Sequence, residues 1–430
     1  MIWSIPVPGT ELSRQEAARP AAGPSFFYRF GVLLSVSLIL FGNYYVYDSL
    51  GLVADLLKKE YAISDAQYGF LSGIYSIAAV IVLLLGGAII DRIGSKRSVL
   101  YFGAIAAAAG LLIALAPSYP VLLVGRFLLG IGAEPLSVAA TTALARWFKG
   151  RELALALGLN LTISRLGTVV VDRSPQWASW AYHGGSLGRP LLLAGLIGLF
   201  CTAGAVVYYA LEHFAERRWD LGRTGSTDRL SLGEVLGFGA PYWLVTGLCV
   251  TFYSSIFAFQ SFATKFFIEA HGVPREQAGA LLSYLPMVPM VATPLFGLLV
   301  DRFGHRSLGL LIGALLVAPV YFLLARRGLP LYYPVALLGI AFSLIPAILW
   351  PAVAYLIEEK RLGTAYSLMT LLQQIFLFAV SSAIGGANDL FAASAAHPAG
   401  YAPGMWLLGG LSLVGLLFAL LLYLREKRPS

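Results

Sequence analysis

Charged residues are scarce in this sequence. Only 12% of the 430 residues are Asp, Glu, Lys or Arg, and 58% are hydrophobic, whereas a soluble domain carries about 25% charged residues. This composition excludes a soluble or a disordered chain and indicates an integral membrane protein. The formal net charge of +8 does not indicate a nucleic-acid partner, because the basic residues are scattered over short loops between apolar runs.

Cysteines and catalytic clusters are scarce as well. The two cysteines, Cys201 and Cys249, both stand in apolar runs, which excludes a disulfide framework. The sequence contains no P-loop, which excludes the direct use of ATP. No nucleophile with a base, and no set of metal ligands, stands together in an apolar run. We therefore expect neither an enzyme nor a bound cofactor or metal.

Long apolar segments are abundant instead. A helix needs about 20 residues to cross about 30 Å of hydrocarbon, and runs of that length recur along the whole chain. They predict an all-α membrane protein with twelve transmembrane helices. The predicted helices are at residues 30–52, 68–90, 98–116, 119–146, 153–173, 190–211, 241–268, 277–300, 307–325, 331–357, 363–385 and 404–424.

The basic residues predict the orientation in the membrane. Most Lys and Arg residues fall on one side if both termini are placed in the cytoplasm, which agrees with the positive-inside rule. The N-terminal segment lacks the layout of a signal peptide, so we predict a cytoplasmic tail. The only glycosylation sequon, at Asn160, stands inside a predicted helix. Since no glycosylating enzyme reaches that depth, this position favours a bacterial inner membrane.

A loop motif occurs twice. The second predicted helix ends in G-x-x-x-D-R-x-G, from Gly87 to Gly94, and the same pattern returns 210 residues later, from Gly297 to Gly304. The displacement is about half the chain, so it predicts two tandem six-helix halves. The predicted boundaries are a tail at 1–29, an N-terminal bundle at 30–211, a cytoplasmic linker at 212–240, a C-terminal bundle at 241–424 and a tail at 425–430.

Three ionisable residues, Arg126, Glu134 and Arg165, stand inside the fourth and fifth predicted helices. An ionised group at membrane depth costs at least ~2.5–3.5 kcal/mol. Pro135 makes the helix irregular beside the carboxylate, as at many transporter sites. One explanation is a structural ion pair between Glu134 and Arg165. The other is a clamp that binds the ammonium of a zwitterion at Glu134 and its carboxylate at Arg165. Arg126 is their neighbour in the binding site, and we expect it to act as an electrostatic support or gate element more than as a direct ligand.

Further candidate residues stand on other predicted helices. The candidates for substrate contact are Tyr44, Tyr47, Tyr253, Gln260, Trp350 and Gln373. For the tyrosines of the first helix, the alternative is an interfacial belt with Asp48 at the level of the lipid headgroups. Lys265 and Glu269 stand four residues apart, so Lys265 is either a snorkelling partner of Glu269 or part of an outer gate.

The repeated loop resembles the signature of the major facilitator superfamily, and RFLLGIG at 126–132 is similar to its fourth-helix motif. This resemblance implies two pseudo-symmetric six-helix bundles with a central site between them, working by rocker-switch alternating access. It also implies a gating role for the loop residues Asp91, Arg92, Gly94, Asp301, Arg302 and Gly304. We expect a monomer in the lipid bilayer and leave the need for an accessory subunit open.

A narrower resemblance concerns GNYYVYD at 42–48, the run from Glu134 to Thr168, the segment 264–269 and LWPAVAYLIEEKRLGTAY at 349–366. These segments resemble the branch of the superfamily that contains the lysosomal dipeptide uniporter, which implies that Glu134 and Arg165 hold the two ends of a dipeptide.

The energy source is predicted from what the chain lacks. The E-x-x-E-R cluster of proton-coupled oligopeptide transporters is absent, which favours uniport and leaves proton coupling through Glu134 open. The alternatives are a proton-coupled or exchange carrier of organic anions or drugs, and a non-transporting receptor or scaffold.

Overall fold

The structure is a computed structural model, and it describes residues 24–148, 152–219, 237–358 and 361–426. Most of the predicted N-terminal tail, the central part of the predicted linker and residues 427–430 lie outside the described residues. Within the described residues the chain is helical and contains no strand.

Twelve helices of the described chain are long and apolar enough to cross a membrane. This finding confirms the predicted all-α fold and its number of spans. In chain order the helices are α1 (Phe26–Leu52), α2 (Asp65–Leu84), α3 (Arg92–Ala114), α4 (Tyr119–Phe148), α5 (Leu155–Asp172), α6 (Gly188–Arg218), α7 (Ala240–His271), α8 (Arg275–Val300), α9 (Arg306–Leu324), α10 (Tyr332–Leu356), α11 (Leu362–Leu390) and α12 (Pro398–Glu426). Helix α6 extends to Arg218, so the first residues of the predicted linker are helical.

The repeated loop requires a glycine in each half. Gly94 interrupts the helical segment Asp65–Ala114 with a φ of 80°. Gly304, its counterpart 210 residues later, follows the segment Arg275–Phe303 in the left-handed region with a φ of 72°. Residues with a Cβ rarely adopt these conformations. Both predicted turns are therefore present, while the side chains of Asp91 and Asp301 lie outside the described part.

Two glycines of the fourth-helix motif place α4 against its neighbours. A Cβ added at Gly130 would lie 2.6 Å from the backbone oxygen of Tyr75 on α2, and one at Gly132 would lie 2.7 Å from the backbone nitrogen of Ala106 on α3. Since helices in lipid associate through close packing of small residues, these glycines bring α4 into backbone contact with α2 and α3. This contact fixes the position of Glu134, which follows within one turn.

We refer to α1–α6 and α7–α12, which correspond to the two predicted bundles, as the two halves. They touch through glycines at one end. We call the end where α1 begins and α12 ends the terminal face, and the other end the opposite face. A Cβ at Gly279 on α8 would lie 2.0 Å from the backbone oxygen of Asp172 on α5, and one at Gly385 on α11 would lie 2.1 Å from that of Asp65 on α2. The halves are therefore in backbone contact at the opposite face.

Candidate substrate site

A cavity of about 240 Å³ lies between the two halves. Helices α1, α2, α4 and α5 form one wall, and α7, α10 and α11 form the other. The lining side chains are Asn43, Tyr44, Tyr47, Asp48, Tyr75, Glu134, Ser137, Arg165, Thr168, Phe257, Gln260, Trp350, Thr370, Gln373, Gln374 and Leu377. The cavity thus brings together both central charges and most of the predicted contact residues.

Glu134 points into this cavity from α4, one residue before the helix-internal Pro135. Its Oε1 accepts hydrogen bonds from the Tyr75 hydroxyl at 3.0 Å and from Gln374 Nε2 at 3.4 Å. Its Oε2 accepts none within the described residues. The hydrogen bonds to Oε1 thus orient the carboxylate, and Oε2 is available to a ligand.

Arg165 faces the same cavity from α5. Its guanidinium carbon lies 4.9 Å from the centroid of the Tyr44 ring, a distance at which a cation interacts with an aromatic face. In the described part of the chain the guanidinium donates no hydrogen bond. No Arg165 nitrogen lies within the 4.0 Å ion-pair distance of a Glu134 oxygen. The two charges therefore face one cavity without pairing with each other in this conformer.

Arg126 does not line this cavity. The residue is 2% exposed. Its guanidinium donates to the backbone oxygen of Tyr47 at 2.8 Å and lies 4.2 Å from the centroid of the Tyr47 ring and 5.3 Å from that of Tyr75. These contacts hold two aromatic rings of the cavity wall from behind. The structure places Arg126 as a support for Tyr47 and Tyr75, where a bound substrate would not reach it directly.

The other predicted contact residues divide into two groups. Tyr44, Tyr47, Gln260, Trp350 and Gln373 line the cavity. Tyr253 is buried behind the wall, where its hydroxyl accepts a hydrogen bond from Trp350 Nε1 at 2.9 Å. Tyr253 thus orients the indole ring without facing the cavity.

Asp48 also lines the cavity, so the interpretation that placed it at the lipid headgroups is wrong. Its Oδ2 accepts a hydrogen bond from the Thr168 hydroxyl at 2.6 Å. The sequence held a signal for this position, because Tyr44, Tyr47 and Asp48 share one face of a helix. Gln374 lines the cavity together with its neighbour Gln373, and both amides of this pair on α11 therefore face the central charges.

Lys265 lies at the opposite face, and its snorkelling interpretation is wrong because its side chain is 1% exposed. Its ammonium lies 2.9 Å from Asp65 Oδ2 on the other half, donates to the Tyr401 hydroxyl at 2.6 Å and lies 3.5 Å from Glu269 Oε2. The pair with Glu269 is therefore present, but the shorter ion pair of Lys265, with Asp65, joins the two halves.

Two further contacts close this face. The carboxylate of Asp389 on α11 accepts from the backbone nitrogens of Asp65 at 2.8 Å and Ala66 at 2.7 Å, the first residues of α2. Arg275 Nη1 at the start of α8 donates to the backbone oxygen of Leu52 at 2.6 Å and to Asp55 Oδ1 at 2.9 Å. Together with the ion pair of Lys265 and Asp65, these contacts join the two halves on the opposite-face side of the cavity. The cavity is thus sealed toward the opposite face.

Comparison with known proteins agrees with this architecture. The family model of the Major Facilitator Superfamily matches residues 36–380 and 246–430. The chain belongs to the Major Facilitator Superfamily. The family consists of membrane transporters and not of enzymes, so the chain is an integral, multi-pass membrane transport protein.

Several curated members of the family are similar to this chain. The lysosomal dipeptide transporter MFSD1 of Danio rerio is 33% identical over 86% of this chain and 83% of its own length. The Homo sapiens protein of the same name is 30% identical over 87% and 84%. The probable sulfoacetate transporter SauU of Cupriavidus necator is 25% identical over 79% and 82%.

Among solved structures, a bacterial homolog of the human lysosomal transporter Spinster, in an inward-facing and unoccupied conformation, superimposes with a TM-score of 0.74 at 18% identity. The match covers 95% of this chain and all of the solved one. At that level of identity the likeness concerns the fold alone.

Proposed function

We propose that this superfamily member transports small zwitterionic solutes, dipeptides above all, through the cavity between its halves. One observation carries the proposal: Glu134 and Arg165 face the same cavity with unused hydrogen-bonding capacity and do not pair with each other. A dipeptide offers its ammonium to the carboxylate and its carboxylate to the planar guanidinium. The similarity to transporters named for dipeptides supports the same substrate class.

The size and chemistry of the cavity support a short peptide. Two extended residues span at most about 7 Å, so a dipeptide reaches between two groups that lie too far apart to pair. The facing wall, from the C-terminal half, carries Gln260, Trp350 and Gln373 and no ionised side chain among its lining residues. Aromatic and amide groups contact many kinds of side chain without requiring a particular charge, which suits a carrier of varied peptides.

The transport cycle is proposed to be alternating access with both termini in the cytoplasm. The positive-inside bias supports this orientation, and it places the terminal face inside. Since the halves are joined at the opposite face, the conformer described here is then closed to the outside. Uniport stays a prediction from the absent E-x-x-E-R cluster, and the bacterial inner membrane stays a prediction from the position of Asn160.

Ligand-induced thermal stabilisation of the purified protein tests the substrate class. Free dipeptides should raise the unfolding midpoint, whereas N-acetylated and C-amidated analogues should not, because each lacks one charged end. Equal stabilisation by the blocked analogues would refute the clamp. Glu134→Gln should weaken dipeptide binding roughly 10- to 150-fold, the value of a hydrogen bond to a charged group, and the exposed Glu276→Gln is the matched control.

A second candidate is an organic anion held by Arg165 while Glu134 stays a structural group. The bonds from Tyr75 and Gln374 to Glu134 favour this reading, as does the similarity to a probable sulfoacetate transporter. It predicts that Glu134→Gln retains transport and that Arg165→Lys, which keeps the charge and loses the planar fork, abolishes it. The proposed dipeptide clamp predicts that both variants lose transport.

A further inference from the structure

A second, smaller chamber of about 20 Å³ lies beside the central cavity. The two share wall residues from α1, α5 and α7, among them Asp48 and Thr168. The chamber continues toward the opposite face, where Asp172 at the end of α5 forms part of its wall. A space of this size accommodates about one water molecule or one small ion.

Asp172 is the unexplained group of this chamber. Its residue is 1% exposed, and its Oδ2 has no hydrogen-bond partner among the described residues. Asp48, the other carboxylate in the wall, is satisfied in part by the Thr168 hydroxyl at 2.6 Å. An unpartnered carboxylate oxygen away from water is costly unless a positive charge or a proton neutralises it.

The charges around both spaces do not balance. The linings of the cavity and the chamber together contain the carboxylates of Asp48, Glu134 and Asp172, against the guanidinium groups of Arg126 and Arg165. One negative charge is therefore in excess. A zwitterion has no net charge, so, if the proposed function holds, bound substrate does not correct this imbalance.

We propose that the chamber binds one monovalent cation, a proton or Na⁺, at Asp172 with Asp48 as the second carboxylate. The other titratable or charged groups that face the chamber are Tyr47 from α1, Tyr68 from α2 and Arg126 from α4, with Tyr182 beside Asp172. Helices α7 and α8 contribute Phe257, Gln260, Ser261 and Leu282 to the lining, none of which titrates.

Because of where the chamber lies, a bound cation would affect the transport cycle. The backbone of Asp172 touches Gly279 of the other half, with 2.0 Å between the Asp172 oxygen and an added Cβ. A cation at Asp172 therefore stabilises the conformer in which the halves meet at the opposite face. If the cation leaves each time that face opens, transport is coupled to the cation and is not uniport.

Thermal unfolding of the full chain in detergent, without peptide, tests the proposal independently of the dipeptide clamp. In a first series, the unfolding midpoint is measured between about pH 5 and pH 8 in choline chloride. In a second series, NaCl replaces increasing amounts of choline chloride at the alkaline end of this pH range. A proton bound in the folded state stabilises the fold at low pH, and this stability is lost as the pH rises, by up to about tenfold in the folding equilibrium per pH unit. Bound Na⁺ instead raises the midpoint as its concentration rises.

Asp172→Asn removes the charge at the same size, so it should lose the dependence of the unfolding midpoint on pH or on Na⁺ that the wild type shows. Glu276→Gln, which is exposed at the same face, should keep that dependence. If Asp172→Asn does not fold, Asp48→Asn tests the same chamber with the same expected loss. A response to pH alone assigns a proton, and a response to Na⁺ assigns the metal ion. Wild-type and Asp172→Asn midpoints that run parallel in both titrations overturn the proposal, and a failure of dipeptides to bind leaves it untouched.

Discussion

Gly385→Ala should disfavour closure of the opposite face. The added Cβ would lie 2.1 Å from the backbone oxygen of Asp65, whereas ordinary contact begins at 3.4 Å, so α11 must retreat by about 1.3 Å. Overpacking of this kind costs ~1–3 kcal/mol. Because the clash exists only where the halves meet, the cost falls on the closed conformer, and its population relative to the open one should drop by about 5- to 150-fold.

Distances between spin labels across the opposite face measure this shift. Labels at the exposed Lys59 and Arg327, one on each half, should show a longer separation in Gly385→Ala after the native cysteines are replaced. Gly386→Ala is the matched control, because an added Cβ at this next residue meets nothing within 4 Å. Distance distributions that are the same for Gly385→Ala, Gly386→Ala and the parent protein would refute the assignment of this contact as a gate.

Two further substitutions test the closure and the clamp. Lys265→Met removes the buried cation between Asp65 and Glu269 and, among the described residues, leaves Asp65 with Lys58 alone as its ion-pair partner. It should destabilise this conformer by ~3–5 kcal/mol, seen as a lower unfolding midpoint. The exposed Lys59→Met should leave the midpoint near that of the wild type, and equal midpoints for both variants would contradict a buried closing pair. Tyr75→Phe removes the shorter of the two hydrogen bonds that orient Glu134 and should weaken dipeptide binding by about 1 kcal/mol, roughly fivefold. Tyr61→Phe, which removes a hydrogen bond far from the cavity, is its control in the same binding titration, and similar affinities for the two variants would argue against a role for Tyr75.

The transmembrane spans could be predicted from the sequence because a bilayer permits few structures other than long apolar helices. Apolar length determines the number of helices, and the 210-residue repeat predicts their division into halves. Glu134 and Arg165 could be predicted as candidate site residues because a charged group buried in the membrane is costly. Asp65 was missed because it follows Ser64, a helix-capping residue, and an acid in the first turn of a helix already has a local explanation. Its contact with Lys265 joins residues 200 positions apart, and no local pattern reports such a pairing.

The asymmetry of the two halves suggests how substrate and conformation are linked. The lining residues of the N-terminal half supply the ionised groups of the cavity, whereas those of the C-terminal half supply amides and aromatic rings. Gln374 of the C-terminal half donates to Glu134 at 3.4 Å, so one contact between the halves ends on the group proposed to bind the substrate ammonium. A substrate ammonium at Glu134 either competes with Gln374 for the same carboxylate oxygen or binds there while Gln374 provides an additional contact. Since a ligand shifts a conformational equilibrium only through contacts that differ between conformers, the proposed clamp predicts that this shared oxygen connects substrate binding to the movement of the halves.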